Sequence, residues 1–134
     1  MAKPGMRSRQ PEAEVTFSGR AVMSGLVGAL VTVLLGAVVL SLSAGAKLAG
    51  SPWEPLALTV VQVLAYGVAG MVAGIRARSW GWLHGTLAAV AWVAMALIFQ
   101  LIAFPHAPSF GAIVYQGLLA AAVGALSGML GVNL

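Results

Sequence analysis

Two histidines, three glutamates and no cysteine or aspartate are the whole supply of metal ligands and general acid–base groups in this chain of 134 residues. Without a thiol there is no disulfide framework, thiolate metal site or cysteine nucleophile. His84 and His106 are separated by a long apolar stretch that places them on opposite sides of a membrane, so they cannot share a metal. There is no glycine-rich phosphate loop, no pair of carboxylates and no nucleophile beside a base. Ser24, Ser41, Ser43 and Ser127 read as helix-packing residues. Carriers driven by protons or sodium keep a carboxylate within the membrane, and the apolar segments here contain none. The residues therefore point to a protein that is not an enzyme and takes no cofactor or metal.

Two other groups of residues could act on a ligand. Thr59, Gln62 and Tyr66 are spaced by three and four residues, which puts them on one helix face. Gln62 and Tyr66 fall near mid-membrane, where exposure to acyl chains is unfavourable, so they should point inward to a helix contact or a polar cavity. Gln100, Tyr115 and Gln116 are their candidate partners. The second group is basic. Arg76 and Arg78 lead into Ser79, a candidate helix cap, with His84 one turn further and Arg20 at the start of the first apolar segment. Free amides at a helix start favour an anion, so an anionic lipid headgroup would suit this cluster; a plainer reading is that the arginines only fix topology. His84 would then hydrogen-bond toward Ser127 or Asn133, and His106 would be solvated.

The elements that must position these residues follow from composition. Hydrophobic residues make up 60% of the chain and charged residues only 7%, against about 45–50% and about 25% in soluble domains. That excludes an ordinary water-soluble domain and also excludes disorder. A bilayer core needs roughly 20 apolar residues per helix, and four stretches qualify: about 21–45, 55–75, 80–104 and 109–132. The last two are separated by Phe104-Pro105-His106-Ala107-Pro108, whose prolines break a helix. Residues 1–18 read as a flexible basic cytoplasmic tail and 19–134 as the membrane domain. Ala44-Gly45-Ala46 has the form of a signal-peptidase site, but the preceding apolar run is too long for a signal peptide and reads as an anchor.

Basic residues stay on the cytoplasmic side. Lys3, Arg7, Arg9, Arg20, Arg76 and Arg78 fall on one side of the predicted spans and only Lys47 on the other, so both termini are expected inside, in an all-α, antiparallel up-down bundle of a bacterial cytoplasmic membrane. The basic balance then points to anionic lipid rather than to nucleic acid.

Helices in lipid associate through small residues. Gly117, Ala121, Gly124, Gly128 and Gly131 form one such seam; Gly67, Gly70, Gly74 and Ala77 form a second; Gly25, Gly28, Thr32 and Gly36 form a third. They serve packing inside the bundle or a homo-oligomer interface. Gly70-Met71 and Gly128-Met129 open similar segments, which suggests two hairpins related by an axis along the membrane normal.

Gly70-Met71-Val72-Ala73-Gly74-Ile75-Arg76-Ala77-Arg78, Gly81-Trp82-Leu83-His84-Gly85 and Gly128-Met129-Leu130-Gly131-Val132-Asn133-Leu134 resemble the YrzE-like family over residues 18–134. Those are small four-helix bacterial membrane proteins of unknown function, mainly of Gram-positive lineages. The resemblance implies four spans and bacterial origin and brings no site residues; the longer basic tail departs from the family's short start. The expected role is association with itself, a larger membrane complex or lipid. A small channel with an uncharged Gln- and Tyr-lined path is the alternative, and an anionic-lipid-binding protein a third.

Overall fold

The computed structural model describes residues 17–44, 47 and 50–134. The predicted tail before Phe17 lies outside the described residues, as do Gly45 and Ala46. Four helices follow in order: α1 (Gly19–Ala44), α2 (Glu54–Ala77), α3 (Gly81–Ala103) and α4 (Phe110–Val132). Each is long and apolar enough to cross a membrane. The shortest has 23 residues, about 35 Å at helical rise, against a hydrocarbon core of about 30 Å.

Local chemistry sets the ends. Ser18 Oγ accepts the Ala21 N–H at 3.4 Å at the start of α1. Glu54 and the following proline open α2, with the acid at the positive end of the helix dipole. α3 stops at Phe104, held extended ahead of Pro105. Ser109 Oγ then caps α4 by accepting the Ala112 N–H at 3.3 Å.

α2 and α3 each pack on the other three helices, while α1 and α4 do not pack against each other among the described residues. Two hairpins related by a two-fold axis would need α1 to meet α4 as α3 meets α2. The expected hairpin symmetry is therefore broken. Gly25 lies on Ala69 and Ala73, whereas Gly36 lies on Val61.

Packing is unequal along the bundle. The buried residues of α2 run from Ala65 to Gly74, those of α3 from Gly81 to Val93, and those of α4 from Ala120 to Gly131. All lie in the half that carries Arg20, Arg76 and Arg78. Toward Glu54 the helices carry larger side chains and separate. Leu42 (82%), Ile102 (81%) and Phe110 (81%) stand almost fully exposed there. Water would not tolerate such an apolar girdle, whereas acyl chains solvate it. The chain has the character of a multi-pass integral membrane protein.

Candidate functional site

The floor of the site is a three-helix contact made of backbone. A Cβ placed on Gly74 would lie 3.0 Å from Gly128 Cα, and one on Gly85 would lie 2.8 Å from that same atom. Gly81 meets the Gly128 carbonyl, and Gly124 sits 2.6 Å from both Ala89 Cβ and the Gly85 oxygen. Gly70 lies against Ser127 Oγ and 2.5 Å from the Gly124 oxygen, and Gly131 lies on the Met71 carbonyl. α4 is thus wedged between α2 and α3. On the other side of α2, Gly25 comes 2.5 Å from the Ala69 oxygen, Gly28 3.2 Å from Val68 Cγ1 and Gly36 2.6 Å from Val61 Cγ1. All these distances are for a hypothetical Cβ; where the obstacle is backbone, as at Gly25, Gly70, Gly74, Gly81, Gly85, Gly124, Gly128 and Gly131, a larger residue would push the helices apart, whereas at Gly28 and Gly36 it would meet valine side chains.

Two seam residues fall elsewhere. Gly67 makes only an ordinary contact with Val123 at 4.0 Å, and a Cβ on Gly117 would meet nothing within 4 Å among the described residues. Gly117 lies one turn before Ala120, the first buried residue of α4, and outside the stretch of close approach from Gly124 to Gly131. Conversely, Gly81 and Gly85 were not foreseen as packing positions. Their signal was available: with Ala89 they repeat every four residues, the spacing of a close helix crossing.

Beyond this floor the helices part into two clefts. One, about 240 Å³, lies between α2 and α4 and brings together Thr59, Gln62, Tyr66, Tyr115 and Gln116. Tyr66 is fully buried at its base. Its hydroxyl accepts from Gln62 Nε2 at 3.0 Å, while Thr59 Oγ1 donates to the Pro55 carbonyl of its own helix at 2.8 Å. The second cleft, about 480 Å³, lies among α1, α2 and α3, and Gln62 borders it together with Gln100. The sequence-predicted polar residues are therefore divided: Gln116 shares the first cleft with Gln62, and Gln100 the second.

The basic cluster differs from its expected form. Trp80, not Ser79, precedes α3 as its N-cap, and Ser79 Oγ points back to the Ala77 carbonyl at 3.4 Å. Trp80 (φ 50°) and Arg78 (φ 55°) both adopt the left-handed conformation, which costs a side-chain-bearing residue about 1–2 kcal/mol. Arg78 uses it to close α2, its N–H donating to the Gly74 oxygen at 3.2 Å. His84 is 1% exposed. Its Nε2 accepts the Ser18 N–H at 3.3 Å, its Nδ1 lies 3.2 Å from the Trp80 oxygen, and Phe17 stacks on the ring at 5.7 Å. A carbonyl needs a donor and an N–H needs an acceptor, so these contacts suit a ring that carries its proton on Nδ1. His84 is thus a clamp between the entry to α1 and the start of α3, and it is not available to a headgroup. Nor does it reach α4: Ser127 Oγ donates to Val123 at 2.8 Å and Asn133 Nδ2 to Met129 at 2.9 Å, each within its own helix. Arg20, Arg76 and Arg78 remain exposed at this end.

Among the described residues no group of three or more His, Asp or Glu side chains could hold a metal ion. No curated protein and no solved structure matches the chain. Residues 18–131, which take in the four helices almost entirely, match the family described as protein of unknown function DUF3792, and the chain belongs to that family.

Proposed function

We propose that this protein works without catalysis, by association within the membrane of a bacterial cell, with a larger membrane complex, lipid or a second copy as its partner. The observation that carries this reading is the division of the bundle: one half is closed by backbone contact, and the other opens into clefts between helices that another molecule can enter. The arginines gathered at one end support an antiparallel up-down arrangement with both termini in the cytoplasm. The narrower likeness to the YrzE-like proteins is part of the same proposal.

Apart from Gly67 and Gly117, the seam glycines lie against neighbouring helices of the same chain, which favours packing within one chain over a seam-mediated dimer. Gly111 and Gly117, with open space in front of them, are the places to test external contacts without disturbing that packing. The expected result is that native mass spectrometry of the chain extracted in lipid particles finds a retained lipid, protein or second copy, and that Gly117→Leu weakens a protein contact on that face. A bare monomer in every preparation refutes association.

Two further readings have specific support. Gln62 borders both clefts, which favours a Gln- and Tyr-lined path for a small uncharged solute; reconstituted vesicles no leakier than protein-free ones dismiss it. The exposed Arg20, Arg76 and Arg78 favour an anionic-lipid contact, now without His84. Equal lipid retention after Arg76→Ala and Arg78→Ala dismisses that.

A further inference from the structure

The cleft between α2 and α4 is a slot with a closed end. Tyr66 forms its base, and immediately below it α2 and α4 touch through Gly70 and Gly124. From Glu54, where α2 begins, Tyr66 lies about 18 Å along the helix at the usual rise, close to the middle of a bilayer. The walls formed by Leu58, Val63 and Leu119 are apolar, and no charged side chain lines the slot.

Its polar groups hold unspent hydrogen-bonding capacity. Gln62 donates one amide hydrogen to Tyr66, which leaves its carbonyl oxygen and a second N–H. Tyr66 accepts that bond and, being fully buried, serves as the floor that holds Gln62 in place. Gln116 on the facing helix adds a further donor pair and acceptor. In a hydrocarbon environment such groups require partners. They offer donors and acceptors together and no charge, which matches a hydroxyl, ester or amide and does not match a phosphate or ammonium. At about 240 Å³ the slot is smaller than a pocket for a whole drug-sized ligand, about 300–1,000 Å³, and fits a small polar head with its chain lying outside along the apolar walls.

We propose that this slot binds the uncharged hydroxyl- or ester-bearing part of a neutral amphiphile, of the glycerol-ester class. The proposal rests on the reading of the chain as an association protein and names the ligand of one cleft. The same chemistry could come from a membrane lipid or from a small neutral solute such as glycerol.

The test uses the full chain in lipid nanodiscs with a diacylglycerol carrying a photoreactive diazirine, followed by peptide mapping. Adducts are expected to concentrate in residues 58–66 and 112–119. Gln62→Leu combined with Gln116→Leu, close in volume and compatible with the helices, should reduce them about tenfold, the loss expected from one or two net hydrogen bonds. Displacement by excess unlabelled dioctanoylglycerol but not by glycerol identifies the lipid as the source; displacement by glycerol identifies the solute. Adducts spread evenly onto the exposed α1 side chains Leu34, Leu35, Val38 and Leu42, or unaffected by the double substitution, overturn the slot. Equal labelling of these peptides by photoreactive phosphatidylglycerol overturns the neutral head. A partner or lipid still retained in native mass spectrometry after either of these outcomes leaves the association reading standing while this site falls.

Discussion

Adding a single methyl group at Gly128 tests the packing that holds the closed half together. In Gly128→Ala the new Cβ would lie 2.9 Å from Gly85 Cα and 3.0 Å from the Gly81 carbonyl carbon, and would press on the Gly81 oxygen. Each obstacle is backbone, so no rotamer change relieves the clash and α3 must move away from α4 as a body. Overpacking of this kind costs about 1–3 kcal/mol, and the upper end applies because α4 is held on its other side by Gly74. Replacing glycine by alanine within a helix returns about 1 kcal/mol. The net expectation is a loss of about 2 kcal/mol. Gly117→Ala supplies the control: with nothing in front of it the same methyl group gains the propensity and meets no clash, for a rise of up to about 1 kcal/mol. The two variants should therefore differ by about 3 kcal/mol, roughly a hundredfold in the unfolding equilibrium. Reversible unfolding in mixed micelles, followed by helical circular dichroism, measures this. If the two alanine variants unfold together, the backbone contact around Gly128 does not hold the bundle.

His84→Ala should release the entry of α1, leaving the Ser18 N–H without its acceptor at a cost of about 1–3 kcal/mol; nitrogen NMR of the wild-type ring at neutral pH should show the Nδ1–H tautomer, and the Nε2–H tautomer would refute the clamp. Arg76→Gly and Arg78→Gly remove the same charge, but the first places glycine inside α2 and costs about 1 kcal/mol, whereas the second relieves a left-handed residue and gains about 1 kcal/mol. Equal stabilities in thermal unfolding would show that the Arg78 conformation carries no strain.

The positions of the helices were legible in the sequence because a bilayer imposes a one-dimensional requirement. An uninterrupted apolar run of sufficient length must form its backbone hydrogen bonds within itself, and the expected 55–75 and 109–132 became Glu54–Ala77 and Phe110–Val132. The break around Pro105 and Pro108 was legible for the same reason, since proline removes a donor the helix cannot spare. Which faces meet was only partly legible. These helices are apolar all round, so hydrophobicity names no buried side, and only small-residue spacing did. Gly70, Gly74, Gly124 and Gly128 carry that spacing and lie close to the backbone of a neighbouring helix. Gly117 carries the same spacing but meets nothing within 4 Å among the described residues, because spacing alone does not say where along a helix a neighbour comes close.

The arginine end was the least legible part, and the reason lies in backbone conformation. A serine before an apolar run normally reads as an N-cap, so Ser79 was expected to open α3 with its amides free for an anion. Instead, left-handed Arg78 and Trp80 turn the chain within three residues, and Ser79 hydrogen-bonds back to Ala77. The turn places the Trp80 carbonyl beneath His84, which it meets at 3.2 Å, and fixes the ring so that its other nitrogen faces the start of α1. A residue that looked like part of an anion site is in this way used to join two helices that are far apart in sequence. The anchor it forms belongs to the same closed half as the glycine contacts, so the end rich in arginine is tied by hydrogen bonds and backbone packing together. The opposite half is more open: there Gln62, bonded to Tyr66 on its own helix, borders a cleft whose other wall carries Gln116.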